Sequence, residues 1–185
     1  MNFLPKSIEM FFALFGLVVF FPILLIVIII GFFDTGSPIF IQERVGRNQK
    51  PFKLIKFRTM NMATASVASH LASPSSITRL GSFLRKTKID ELPQLINVLK
   101  GEMSFVGPRP NLYNQSELIK ARQSLDIYRV LPGITGLAQV SNIDMSEPQL
   151  LAMTDRKMLD NLTVRNYFKL ILLTISGRGS GDAIN

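Results

Sequence analysis

MFFALFGLVVFFPILLIVIIIGFF, residues 10 to 33, decides the kind of fold this chain can have. None of these 24 residues is charged. At 1.5 Å per helical residue the run reaches about 36 Å, enough to cross the hydrocarbon core of a bilayer. It is long for the apolar segment of a cleavable leader, only Lys6 precedes it, and no small-x-small cleavage site follows. Of the 21 Lys and Arg residues, Lys6 alone comes before the run and the other 20 come after it. By the positive-inside rule that asymmetry puts the bulk of the protein in the cytoplasm. Pro22 stands in the middle of the run. It has no N–H, and its ring meets the carbonyl of Val18, so a kink is expected there. A kinked spanning helix and a re-entrant hairpin that enters and leaves by one face both satisfy the pattern.

The whole chain has 185 residues, enough for one modest domain with a real core. Its net charge of +8, from 21 Lys and Arg against 13 acids, suits phosphorylated substrates, an acidic membrane surface or nucleic acid. No basic helix with interleaved aromatics and no recognised nucleic-acid motif occurs, so nucleic acid is not an expected partner. The absence of cysteine excludes disulfides and thiolate metal sites. The single histidine, His70, excludes a multi-histidine zinc site and argues against a His-based triad.

KTKIDELPQLINVLKG, residues 86 to 101, carries the chemistry. Leu92, Leu95, Ile96 and Leu99 follow i, i+3, i+4, i+7, which predicts an amphipathic helix starting at Asp90 or Glu91. Pro93 then falls in the first turn, Lys100 in the last, and Gly101 at the C′ position. Both carboxylates stand at the positive end of that helix, which favours their ionised form. The plain structural reading makes Asp90 an N-cap and Glu91 a first-turn acid. The surroundings argue for more. Arg85, Lys86 and Lys88 come just before, and EMSFVGPRPN (102–111) follows, with Arg109 locked between Pro108 and Pro110. A fixed guanidinium fork suits a pair of phosphate oxygens. The structural alternative is that Arg109 ties its turn to an acid such as Glu102.

The rest of the chain is read more briefly. DTGSP (34–38) is a turn. Residues 39–41 and 52–57 read as two short strands around a turn at 46–48, the second ending in KFRTM (56–60) with Lys56 and Arg58. Residues 61–76 are rich in Ala, Ser and Met without periodicity, and are read as a loop near the site or a weak helix. In VLPGITGLAQV (130–140) the glycines permit close backbone approach and Gln139 could donate to a ligand, although core and turn give the same pattern. Residues 111–128 and 147–161 read as helices with charged outer faces. Residues 164–175 form a helix with Arg165 and Lys169 beside an apolar face, suited equally to a bilayer surface or to core packing. The Gly/Ser-rich tail, 177–185, is expected to be disordered. No internal repeat is evident.

Three stretches in order, KFRTM (56–60), LRKTKIDELPQLINVLKGEMSFVGPRP (84–110) and PGITGLAQV (132–140), resemble the bacterial sugar transferase family. This is the monotopic phosphoglycosyl transferase superfamily, in its small single-domain form, and the resemblance covers nearly the whole chain. It implies transfer of a phosphosugar from a nucleotide diphosphate sugar, usually a UDP-sugar, to a polyprenol phosphate such as undecaprenyl phosphate, with release of UMP. It implies a covalent phosphosugar intermediate on Asp90, with Glu91 as its partner and Mg²⁺ as cofactor held by Asp90 and Glu91. The cations Lys56, Arg58, Arg85 and Arg109, with Gln139, are the implied substrate contacts. An ionised carboxylate is a competent nucleophile toward phosphorus, and the substrate's diphosphate charge calls for neighbouring cations.

The resemblance also implies a helix-dominated α/β fold. Residues 1–38 would form a re-entrant helix broken at Pro22, residues 39–176 a cytoplasmic catalytic domain with interfacial helices, and 177–185 a tail. The setting would be the bacterial inner membrane, with the catalytic domain on its cytoplasmic face and downstream glycosyltransferases as possible partners. The motifs leave the oligomeric state open, a homodimer included. Three departures stand out. Phe21-Pro22 replaces the family's Ser-Pro pair, SNID (141–144) replaces a Gly-Arg continuation, and RKML (156–159) replaces a tyrosine-rich stretch. The last two regions are those the resemblance implies help choose the donor. A non-catalytic membrane-anchored binder is the competing reading, and the intact Asp90–Glu91 pair with its cations argues against it.

Overall fold

The computed structural model describes residues 4–64, 74–177 and 179. The apolar run forms a single helix, α1 (Lys6–Thr35), of 30 residues. It stops at Gly36, whose φ of 74° belongs to the left-handed region glycine adopts at low cost, and whose N–H donates to the Phe32 carbonyl. The expected break at Pro22 is not an interruption here: the helix is continuous across it. A proline removes one hydrogen bond, and the bonds on either side can carry the helix through.

One narrow stripe of α1 faces the rest of the protein. It runs through Glu9, Ala13, Leu17, Leu24, Val27 and Gly31, spacings of three, four and seven that keep one helical face. Small residues on it permit close approach. A Cβ on Gly31 would stand 2.9 Å from Pro38 Cβ, and one on Gly16 would stand 3.1 Å from a Leu95 methyl. The remaining surface of α1, including Phe11, Val18, Phe21, Phe32 and Phe33, is exposed and apolar.

Beyond it, β1 (Ile39–Val45) and β2 (Pro51–Phe57) form the antiparallel hairpin read from the sequence, in the register Ile41↔Ile55 and Glu43↔Lys53. A 3₁₀ turn at Arg47–Gln49 closes it, with Asn48 and Gln49 at positive φ. Helix α2 (Arg79–Thr87), which the periodicity did not announce, is capped by the Thr78 side chain accepting from the Gly81 amide at 2.9 Å. Helix α3 (Gln94–Leu99) packs its Leu95 and Val98 with Ala13 and Leu17 of α1 and with Phe52 and Leu54 of β2. As expected, α3 ends with Lys100 and a left-handed Gly101.

The C-terminal half completes the body. Two three-residue strands, β3 (Ser104–Val106) and β4 (Gly133–Thr135), pair in parallel. The helix read over 111–128 is shorter, α4 (Ser116–Ser124), followed by a 3₁₀ turn at Ile127–Arg129 with Asp126 at positive φ. Then come α5 (Leu137–Val140), α6 (Pro148–Asp160) and α7 (Val164–Ile175). Helix α7 has two working faces. Tyr167 and Leu170 are buried, while Val164, Phe168, Leu172 and Ile175 are exposed apolar residues. The architecture is thus helix-dominated α/β. Residues 65–73, with His70, lie outside the described residues, as does the tail apart from Gly177 and Gly179.

The helix α1 stripe carries one buried charge. Glu9 is 4% exposed, and its Oε1 accepts from Ser104 Oγ of β3 at 2.5 Å and from the Tyr167 hydroxyl of α7. Burial first, and then the hydrogen bond to Glu9, push the Tyr167 hydroxyl above its ordinary value of 10.0. The protonated phenol is the donor, so the stability it contributes is fully present below about pH 10 and is lost as pH rises beyond. Replacing Tyr167 by Phe should cost about 1–3 kcal/mol at neutral pH. It should also flatten the alkaline fall in Tm relative to wild type, measured in one detergent between pH 8 and 11.

Candidate active site

Asp90 and Glu91 lie in a 3₁₀ turn, Ile89–Glu91, between α2 and α3, and both are buried, at 2% and 7% exposure. The turn is entered through Lys88, whose positive φ of 61° ends α2. This corrects the predicted helix start at Asp90 or Glu91. Pro93 has no N–H to bond back to Ile89, and three-residue bonds such as Leu92 N–H to Ile89 O and Ile96 N–H to Pro93 O fill the gap before α3 begins at Gln94. Asp90 therefore does not cap α3. Asn97, fully buried, fixes the turn's neighbour against the hairpin. Its Oδ1 accepts from the Ile55 amide at 3.1 Å, and its Nδ2 donates to the Lys53 carbonyl and to Glu102, each at 2.7 Å.

A narrow polar recess gathers Lys56, Glu91, Arg109 and Gln139, four of the residues singled out from the sequence. Arg44 and Gln94 join them, and neither was anticipated. Both are buried, Arg44 on the strand face it shares with Gln42, and Gln94 in the first turn of α3. Arg109 Nη2 stands 3.5 Å from Glu91 Oε1, so the guanidinium addresses Glu91, whereas Glu102 accepts from Asn97. Lys56, 7% exposed, lies 5.7 Å from the centre of the Phe40 ring. Gln139 donates its Nε2 to the Ile134 carbonyl at 2.8 Å. Two further predicted cations have backbone or side-chain partners of their own. Arg58 donates to the carbonyls of Ser37 and Ile39 at 2.9 and 3.4 Å and stacks on Phe40, securing the link between α1 and β1. Arg85 Nε donates to Thr59 Oγ1 at 2.9 Å. Pro22 stays on α1, an exposed position in the middle of the helix.

The two Gly/Pro-rich motifs meet backbone to backbone. The Gly107 amide donates to the Thr135 carbonyl at 2.9 Å, and the Gly133 amide to the Pro108 carbonyl at 3.0 Å. A Cβ on Gly133 would fall 2.0 Å from the Gly107 nitrogen, and one on Gly136 2.5 Å from the Gly107 oxygen. The close approach permitted by the glycines of 130–140 is thus made to the Arg109 turn itself.

A buried carboxylate pair, a guanidinium held on one of its members and a lysine at the same recess form a site for phosphate chemistry. The bacterial sugar transferase model matches residues 1–178. The chain belongs to the bacterial sugar transferase family. Among relatives of this sugar transferase, a UDP-galactose-lipid carrier transferase of Erwinia amylovora is 35% identical over 192 residues, covering 94% of this chain and 40% of that protein. An uncharacterised sugar transferase of Bacillus subtilis is 38% identical over 154 residues, covering 83% and 76%. A UDP-N-acetylgalactosamine-undecaprenyl-phosphate N-acetylgalactosaminephosphotransferase of Aeromonas hydrophila is 31% identical over 190 residues, covering 96% and 45%. The sugar transferase chain therefore spans less than half the length of two of these three relatives.

The donor set can be weighed for a metal. Among the described residues no three His, Cys, Asp or Glu side chains converge. Mg²⁺ does not require such a cage, since one or two carboxylates with substrate phosphates and water satisfy it. The Asp90–Glu91 pair fits that requirement. The glycine crossing gives a direct test of the site's scaffold. Gly133→Ala forces a methyl into the Gly107 backbone and should destabilise this sugar transferase by about 1–3 kcal/mol or more. For a chain of this size that is a Tm loss of roughly 2–12 °C, measurable by nanoscale fluorimetry in detergent.

Proposed function

We propose that this protein is a phosphoglycosyl transferase that moves a phosphosugar from a UDP-sugar to undecaprenyl phosphate through a covalent intermediate on Asp90. The observation that carries the reading is the buried Asp90–Glu91 turn with the Arg109 guanidinium 3.5 Å from Glu91, inside a chain of this family. The printed name of the Aeromonas relative pairs a UDP-sugar donor with undecaprenyl phosphate, in line with it.

In the first step an oxygen of the ionised Asp90 carboxylate attacks the sugar-bearing phosphorus. The new O–P bond forms as the bridge to the second phosphorus breaks, and UMP leaves with the electron pair. In the second step a phosphate oxygen of the polyprenol phosphate attacks the same phosphorus and the Asp90 carboxylate is released. The result is a polyprenol diphosphate sugar, a substrate for glycosyltransferases that extend lipid-linked sugars. Splitting the transfer lets a soluble donor and a lipid acceptor use one nucleophile in turn. In this reading Arg109 and Lys56, which share a recess with Glu91, would neutralise charge on the transferred phosphoryl oxygens. Arg44, at the same recess, adds a third cation. Mg²⁺ bound by Asp90 and Glu91 would supply charge neutralisation to the diphosphate.

The bilayer setting follows from the surface of α1. Its buried stripe runs from Glu9 to Gly31, about 33 Å of helix, and both ends rest on the same body. A helix crossing the bilayer away from that body would carry one end about 30 Å from it. This supports a monotopic arrangement with both ends on one face. The exposed apolar line of α7, flanked by the exposed Arg165 and Lys169, is suited to lie on the same surface. The charge asymmetry of the sequence assigns that face to the cytoplasm.

Two measurements test the proposal. A panel of UDP-sugars with undecaprenyl phosphate should release UMP with wild-type protein. Asp90→Asn should reduce both UMP release and trapping of a labelled phosphosugar on the protein to background, and a retained burst of UMP from Asp90→Asn would remove Asp90 as the nucleophile. For topology, Lys6→Cys and Asp34→Cys in this naturally cysteine-free chain should both resist an impermeant maleimide added outside intact spheroplasts, and both react after lysis. Labelling of either one from outside would establish a spanning helix.

A further inference from the structure

The Pro108-Arg109-Pro110 turn is held by its carbonyls, one after another. Pro108 O accepts from the Gly133 amide at 3.0 Å, Arg109 O from Arg122 Nη1 at 2.8 Å, Pro110 O from Arg44 Nη1 at 3.2 Å, and Asn111 O from the Val45 amide at 2.9 Å. Prolines at 108 and 110 contribute no N–H, so the turn cannot organise itself by its own amides, and the carbonyls are the available handles. Of the four donors, Arg122 grips the residue that carries the functional guanidinium.

Arg122 is 1% exposed and comes from α4, whose neighbours on the same face, Leu118 and Ala121, are apolar. Its Nε and Nη2 both donate to Asp155 Oδ2 of α6, at 3.0 and 2.7 Å, and Nη1 also reaches Asn111 Oδ1 at 3.0 Å. The Tyr128 hydroxyl donates to the same Asn111 oxygen at 2.9 Å. Asp155 is likewise 1% exposed, in an apolar stripe with Leu151, Ala152 and Met158. Burial raises its carboxyl above the ordinary carboxylate value, and the Arg122 guanidinium offsets only part of that rise. Replacing a buried pair of this kind by apolar residues is often neutral or stabilising, so stability alone gives it little reason to exist. The planar fork explains it better, because one guanidinium spans an acid on α6 and a carbonyl of the turn in fixed geometry.

We propose that Arg122, clamped by Asp155, is a positioning residue that sets the Arg109 guanidinium against the Asp90–Glu91 turn. It touches no reacting atom and acts through the Arg109 carbonyl. The kinetic part of this proposal rests on the phosphoglycosyl transfer proposed above; the structural part does not.

The test uses the full chain in nanodiscs. Arg122→Lys retains a charge for Asp155, but an ammonium cannot hold the acid and the turn in the same planar geometry. Amide hydrogen exchange in residues 104–112 should quicken while exchange in α1 and β2 stays as in wild type. UMP release should fall about 10- to 100-fold in kcat/KM. In an Arg109→Ala background the same Arg122→Lys change should cost little further, because its effect passes through Arg109. Asp155→Asn, which keeps shape and an acceptor, should reproduce the pattern more mildly and serves if Arg122→Lys does not fold. Additive losses with Arg109→Ala, a uniform rise in exchange across the chain, or unchanged exchange in 104–112 would each overturn the positioning role. Should wild type release no UMP from any donor, the proposed reaction fails while the exchange measurement still decides whether Arg122 holds the turn.

Discussion

Everything near the acid pair depends on a backbone contact with no room for a side chain. Gly107 and Gly133 cross so closely that a methyl on Gly133 would fall 2.0 Å from the Gly107 nitrogen. The crossing joins β3 to β4 in parallel, and it delivers the Arg109 turn and the Gln139 helix to one recess. Two strands of three residues would contribute little by themselves. Their value lies in register, because Ser104↔Gly133 and Val106↔Thr135 leave Arg109 no alternative place to start from. From there the four carbonyl contacts hold the turn, and Arg109 reaches Glu91.

Helix α1 has two kinds of surface. Most of its circumference is large, apolar and exposed, and a narrow stripe of small residues is pressed on the protein. Exposed Phe and Ile in such density are a liability in water and an asset in lipid. The stripe needs Ala13 and Gly16 because α3 and β2 come close, and α3 in turn follows directly on the Asp90–Glu91 turn. Helix α1 is therefore part of the scaffold around the Asp90–Glu91 turn. Glu9, buried and hydrogen-bonded by Ser104 and Tyr167, adds a polar rivet to that contact, at the cost of desolvating a carboxylate.

Sequence by itself determined a good deal. The uncharged run from 10 to 33 dictated the long helix, because only helical backbone satisfies its own hydrogen bonds away from water. Alternation and a Gly-Arg-Asn turn dictated the hairpin. Leu92, Leu95, Ile96 and Leu99 announced the body of α3 and Gly101 its end, although Val98, outside that pattern, is the residue buried with Leu95 while Ile96 is exposed; the three ordered motifs identified the family and pointed to Asp90, Glu91 and Arg109. These features are local, written in periods of two and 3.6 residues or in residues with few conformations.

Tertiary structure decided the rest. Pro22 marked a place where a helix can kink, but whether α1 continued through it depended on what packed along both halves. The helix start slid from Asp90 to Gln94 because Lys88 took up a left-handed conformation and Pro93 lacked an N–H, a combination that helical periodicity does not encode. Arg58 and Arg85 looked like Arg109 in the sequence, as cations in family motifs. Only the fold turned Arg58 onto the carbonyls of Ser37 and Ile39, gave the Arg85 Nε to Thr59 and set Arg109 beside Glu91. In the sequence Arg122 and Asp155 were two charges within segments read as helices with charged outer faces. Their partnership spans 33 positions of sequence, and no period in the chain relates them. Long-range pairs of this sort are chosen by which faces the core brings together, and that is known only once the chain has closed.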